Sequence, residues 1–206
     1  MSTSRIAAMD SLAPKTSAIE AQSVAKTGSV ALILGFRGQL QAQDTWCWAA
    51  AAASVDEYYA WQRNQPEKAR SQCQFIQEEL GRYPCSLCPP KKSPRGDCQK
   101  NGCSTYANDE YGWLNHALHG VQMYRGYTLG AVDFATCQAE VDNGRPLGVR
   151  VKHSDGTDHI LVIIGYDTNI PGLIVWDPWC GRSLVSYNGW EIELGKWTHT
   201  IFTRQQ

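Results

Sequence analysis

The chain has 206 residues, enough for one sizeable core, so a single domain is the expectation. Lys plus Arg number 19 against 20 Asp plus Glu, and no basic block exceeds Lys91-Lys92, which argues against a nucleic-acid partner. No apolar run approaches the roughly 18 residues of a membrane span, and the N-terminus lacks the continuous apolar core of a secretory signal.

Residues 1–28 are rich in Ser, Thr, Ala and Lys and read as a flexible N-terminal tail or pro-segment, leaving 29–206 as the domain. Val30–Leu34 enters it as a strand. Asp44 or Thr45 is placed to cap a helix over about Trp46–Arg63, whose run of alanines has high helix propensity. Ser71–Leu80 reads as a short helix stopped by Gly81. Residues 82–106 carry four prolines and two glycines and form an irregular Cys/Pro-rich arm. Helices follow over about Asn108–His119 and Val132–Asp142, the second with Asp133 as an early cap. Strands then dominate: 147–151, 160–164, 173–176, 183–187 and 197–203. Helices first and strands last predict an α+β fold with an antiparallel sheet.

The chemistry centres on Gln41-Ala42-Gln43-Asp44-Thr45-Trp46-Cys47-Trp48. A cap at Asp44 would set Cys47 in the first turn, where unpaired backbone N–H groups and the helix dipole favour a thiolate. A buried core cysteine is the ordinary alternative, so Cys47 needs partners. Of the five histidines, His116 and His119 fall near a helix end, and His153 sits in a turn cluster with Ser154-Asp155-Gly156. His199 alternates with threonines on the last strand. His159 alone stands at the mouth of a wholly apolar strand. With the following hairpin centred near residue 168, position 159 falls opposite 177, and directly opposed residues share a face with Cβ atoms about 5 Å apart. Asp177 is thereby expected to orient the imidazole. Asp158 points to the other face, and Asp167 lies in the turn. Cys47, His159 and Asp177 form a nucleophile, base and orienting group. Gln41, or its rival Gln43, would supply an oxyanion donor beside the Cys47 N–H.

These strings resemble the papain-like cysteine peptidases, most closely a bacterial branch that includes a plant-pathogen effector protease. The resemblance rests on Gln41–Ala51, Gln72-Cys73, Leu80-Gly81, Gly144–Val149, Asp158–Asp167, Asp177-Pro178-Trp179 with Gly181, and Trp197–Thr200. It implies a two-lobe papain-like fold, the helical lobe carrying Cys47 and the sheet lobe carrying His159 and Asp177. It implies endopeptidase chemistry on a protein or peptide, without metal or organic cofactor; a monomer is the expectation. By position it makes Cys47 the nucleophile, His159 the base, Asp177 the orienting residue and Gln41 the oxyanion donor.

Seven cysteines remain besides Cys47, and five of them crowd 73–103. Disulfides would staple the arm and fit a secreted or exported protein. Zinc at Cys85, Cys88, Cys98 and Cys103 would need tighter spacing than a zinc ribbon has. Free thiols are the third reading, and the odd number leaves one cysteine over, which suits Cys137. Two other functions share these features. A transglutaminase-like acyltransferase would use the same triad, and a non-enzymatic disulfide or zinc module would bind a partner through the arm.

Overall fold

The computed structural model describes residues 24–81 and 111–206. The arm at 82–106, with Cys85, Cys88, Cys98 and Cys103, lies outside them. Their chain folds as an α+β domain. An antiparallel sheet of eight strands comprises β1 (Val24–Thr27), β2 (Val30–Ile33), β3 (Tyr124–Leu129), β4 (Leu147–Lys152), β5 (Asp158–Asp167), β6 (Gly172–Asp177), β7 (Gly181–Ser186) and β8 (Lys196–Thr203). The main path runs β1-β2-β5-β4-β8-β3, and β6 and β7 branch from β5. β5 is the hub. Its first half pairs with β4 and its end with β2, while β6 lies along the other edge. A strand so enclosed must be apolar, and Ile160–Ile164 are all buried.

Helix α1 (Cys47–Gln62) rests on β5 and is flanked by α2 (Gln72–Leu80) and α3 (Leu114–Gly120). Surrounded on its sides, it is apolar over most of its circumference, and Ala49–Ala53 are wholly inaccessible to solvent. Small side chains let neighbouring layers approach closely. Trp48 lies against Gly112, where an added Cβ would come within 2.4 Å of the indole. Tyr58 and Tyr59 reach out from the helix, their hydroxyls bonded to the Gly144 carbonyl and to Thr203 Oγ1. Helix α4 (Phe134–Asp142) also packs on β5. α5 (Trp190–Leu194) is a short turn of helix before β8.

Local signals fixed some elements closely. Ser71 caps α2 through a reciprocal box with Gln74, and Gly81 ends it in the left-handed region at φ 63°. Asp133 accepts from the Thr136 N–H and caps α4. Others differ. Strand β1 occupies residues within the stretch read as tail, paired with β2 across a turn at Gly28. Strand β3 and helix α5 are additional elements. Helix α3 begins only at Leu114, after an extended approach at Trp113. No helix among the described residues is long and apolar enough to cross a membrane.

Candidate active site

Helix α1 begins with Cys47 as its first residue, so the thiol stands in the first turn. The cap differs from the expectation at Asp44 or Thr45. Trp46 is the N-cap residue, with no side chain capping the helix. The approach is instead organised by Gln41, whose Nε2 donates to the carbonyls of Gln43 and Asp44, each at 2.8 Å. The Trp46 N–H closes a turn onto the Gln43 carbonyl. Cys47 itself is 3% exposed and forms part of the wall of a cleft of about 490 Å³.

The register of β5 against β6 also differs from the expected one. Val162 pairs with Trp176 and Ile163 with Val175, and a bulge between Ile163 and Gly165 carries the ladder to Asp167 opposite Gly172. The turn is therefore centred later than residue 168. His159 lies two positions beyond the residue that would face Asp177, and it pairs in register with Val151 of β4 instead. A shift of two keeps side chains on the same face, and a diagonal neighbour remains within reach of a long side chain. His159 Nε2 and Asp177 Oδ1 are 2.7 Å apart. The same carboxylate oxygen accepts from the Trp179 N–H at 2.7 Å, which fixes its orientation.

With Nε2 turned to Asp177, the other ring nitrogen is left for the thiol, and Cys47 is near enough to influence the titration of His159. Burial works against a charged imidazole. The hydrogen bond to Asp177 and that carboxylate's charge, with the nearby Cys47, outweigh it, and His159 is pushed up to about 10. The site therefore favours imidazolium at neutral pH.

Three of the other histidines lie around this arrangement. His153 lies over His159 with ring centroids 6.1 Å apart. His116 and His199 line the cleft, and His199 is held below the ordinary histidine range by burial and by Arg150. Asp158 faces away from His159, as expected, and pairs with Arg150 Nη2 at 2.6 Å. The Arg150 guanidinium lies 4.6 Å from the Trp113 ring, giving the cleft an aromatic and ion-paired wall. Of the other described cysteines, Cys73 and Cys180 are disulfide-bonded. Cys137 is free and buried on α4, and burial pushes its thiol up to about 12, which makes it unreactive. Among the described residues, no group of three or more His, Cys, Asp or Glu is arranged to hold a metal ion.

The residues not foreseen are those that hold the Gln41 segment. Trp176 Nε1 donates to the Gln39 carbonyl at 3.2 Å. The Gln41 N–H donates to the Pro178 carbonyl at 2.7 Å. A Cβ on Gly38 would fall 1.9 Å from the Trp176 ring. Asp177-Pro178-Trp179 carried a hint of this, since a proline ends a ladder and frees carbonyls for other partners.

Residues 33–202 match the Peptidase_C39 like family. Among solved structures the chain is similar to xylellain, a cysteine protease from Xylella fastidiosa, at 15% identity and a TM-score of 0.49, over 83% of this chain and 85% of that chain. No curated protein matches it. The match over most of its length shows that the chain belongs to the Peptidase_C39 like family and is a cysteine peptidase.

Proposed function

We propose that the protein is an endopeptidase that cleaves peptide bonds through a thioester on Cys47, in a cleft between a helical lobe and a sheet lobe. The observation that carries this reading is the 2.7 Å contact between His159 Nε2 and Asp177 Oδ1, made by an imidazole close enough to Cys47 for the thiol to influence its titration. His159 takes the thiol proton, giving thiolate and imidazolium. Asp177 holds the ring in one orientation and stabilises its charge. The thiolate attacks the scissile carbonyl carbon, forming a C–S bond and placing the electron pair of the C=O bond on oxygen. When the tetrahedral species collapses, the C–N bond breaks and His159 protonates the leaving amine. Water then adds to the thioester with His159 as base, and the C–S bond breaks to release acid and regenerate the pair.

The oxyanion would lie near the start of α1, where the Cys47 N–H has no partner earlier in the helix. Gln41 is the second donor. Its two Nε2 hydrogens rest on the Gln43 and Asp44 carbonyls. A charged oxygen is the stronger acceptor, so one of these bonds exchanges for the oxyanion as charge develops. The kinship to the effector-protease branch rests on the sequence motifs alone.

Cleavage of a peptide library by wild type and Cys47→Ala, read by mass spectrometry, tests the reading. New termini from wild type only are expected. Products coupled to added lysine amines without new termini would instead favour an acyltransferase. Equal cleavage by both proteins would end the proposal.

A further inference from the structure

We infer that Gln72 is a positioning residue for the oxyanion donor Gln41, acting through the backbone of residues 40–42; this rests on the peptidase reading above. Gln72 is the first residue of α2, a place where glutamine ordinarily faces solvent. Here it is 6% exposed. A primary amide is costly to bury unless its donors and acceptor are used, and all are. Oε1 accepts from the Ala42 N–H at 3.0 Å, while Nε2 donates to the Leu40 carbonyl at 2.8 Å and to Gln39 Oε1 at 3.3 Å.

These bonds fall on both sides of Gln41. In an extended chain the carbonyl of one residue and the N–H two residues on face the same edge, and the N–H of the residue between faces the other. The Gln72 amide takes the helix-side edge, as a neighbouring strand would. The Gln41 N–H takes the sheet-side edge and donates to Pro178, the residue after Asp177. Gln39 adds a tie to α1, its N–H donating to Ser54 Oγ at 2.8 Å. Residues 39–42 thus form a strap between α2 and the Trp176–Pro178 segment, leading into α1, with Gln72 its only amide-to-backbone clamp on the α2 side among the described residues. The Ser71 capping box holds the start of α2, and the next residue, Cys73, is disulfide-bonded, so the clamp is itself fixed. A strap freed on one edge would let Gln41 drift, and displacements of about 1 Å in a catalytic group cost on the order of 10²-fold in rate.

The test compares wild type, Gln72→Met, Gln41→Ala and the double variant, with peptide turnover, iodoacetamide alkylation of Cys47 and thermal midpoint as readouts. Alkylation forms no oxyanion, so it separates thiolate formation from oxyanion binding. Gln72→Met is expected to lower kcat roughly 10- to 100-fold with KM within about twofold and alkylation unchanged. On the Gln41→Ala background it should add less than about twofold, because the two residues act as one unit. Gln72→Glu supplies a second reading. Its ionised carboxylate cannot donate to Leu40, whereas the protonated acid can, so its turnover relative to wild type should rise as pH falls. Wild-type turnover by Gln72→Met beside a slowed Gln41→Ala overturns the inference alone. So does a full additional loss in the double variant, or a loss of alkylation that parallels the loss of turnover. Wild-type turnover by Gln41→Ala removes the oxyanion assignment and the inference with it. Cleavage by Cys47→Ala removes the peptidase reading itself.

Discussion

The two groups of residues proposed to serve Cys47 are held by different means. On the sheet side, His159 and Asp177 project from β5 and β6, whose backbones are locked in ladders on a hub strand buried along most of its length. On the helix side, Gln41 sits on a strap without regular structure, held mostly by side chains (Gln72, Trp176 and its own amide) and by one backbone bond, from its N–H to the Pro178 carbonyl. A ladder distributes its hold over many backbone bonds, so no single side chain on the sheet is indispensable to placing His159. The strap depends on a few amides. In the proposed mechanism, the difference separates proton chemistry, assigned to the sheet, from oxyanion chemistry, assigned to the strap.

The largest expected effect breaks both sides at once. Cys47→Ala should reduce peptide hydrolysis by about 10⁶-fold with the fold intact, judged from steady-state assays and circular dichroism. Asp177→Ala breaks the sheet side alone and should cost about 10⁴-fold. With its supporting hydrogen bond to Asp177 gone, His159 should fall from about 10, so the alkaline limb of the kcat/KM profile moves to lower pH. Gln41→Ala breaks the helix side and should cost about 10²- to 10³-fold in kcat, with that alkaline limb unmoved. Gly38→Ala sets a methyl group against Trp176 and should destabilise the protein by about 1–3 kcal/mol in denaturant titrations.

Stability should carry the same signature. The folded imidazole at about 10 lies above its ordinary 6.5, so its contribution is complete below pH 6.5 and is lost as pH rises through about 10. Denaturation midpoints should show that loss in wild type, and much less of it in His159→Ala.

The sequence made some of this plain and concealed the rest for physical reasons. The capping box at Ser71, the Gly81 stop and the Asp133 cap are local devices, readable from a few neighbours. The apolar run 160–164 could only be an enclosed strand. Parity placed His159 and Asp177 on one face, but the register depended on a bulge near Gly165, which no short pattern announces. Strand β3 was hidden because it is an edge strand with mostly exposed residues and a bulge at Gly126, so it lacks apolar alternation. The cap at Asp44 gave way because Gln41, a residue several positions upstream, organises the turn. Gln72 was invisible for the same reason, since the backbone it clamps is some thirty residues away in sequence.

The central claim is a Cys47 thiolate held by His159 and Asp177, and its most direct test is the rate of Cys47 alkylation by iodoacetamide at pH 6. Rapid labelling confined to Cys47, with Cys137 unmodified and the rate collapsing in His159→Ala, is the predicted result. Labelling of Cys47 no faster than that of an ordinary thiol, or a rate indifferent to His159, would contradict it.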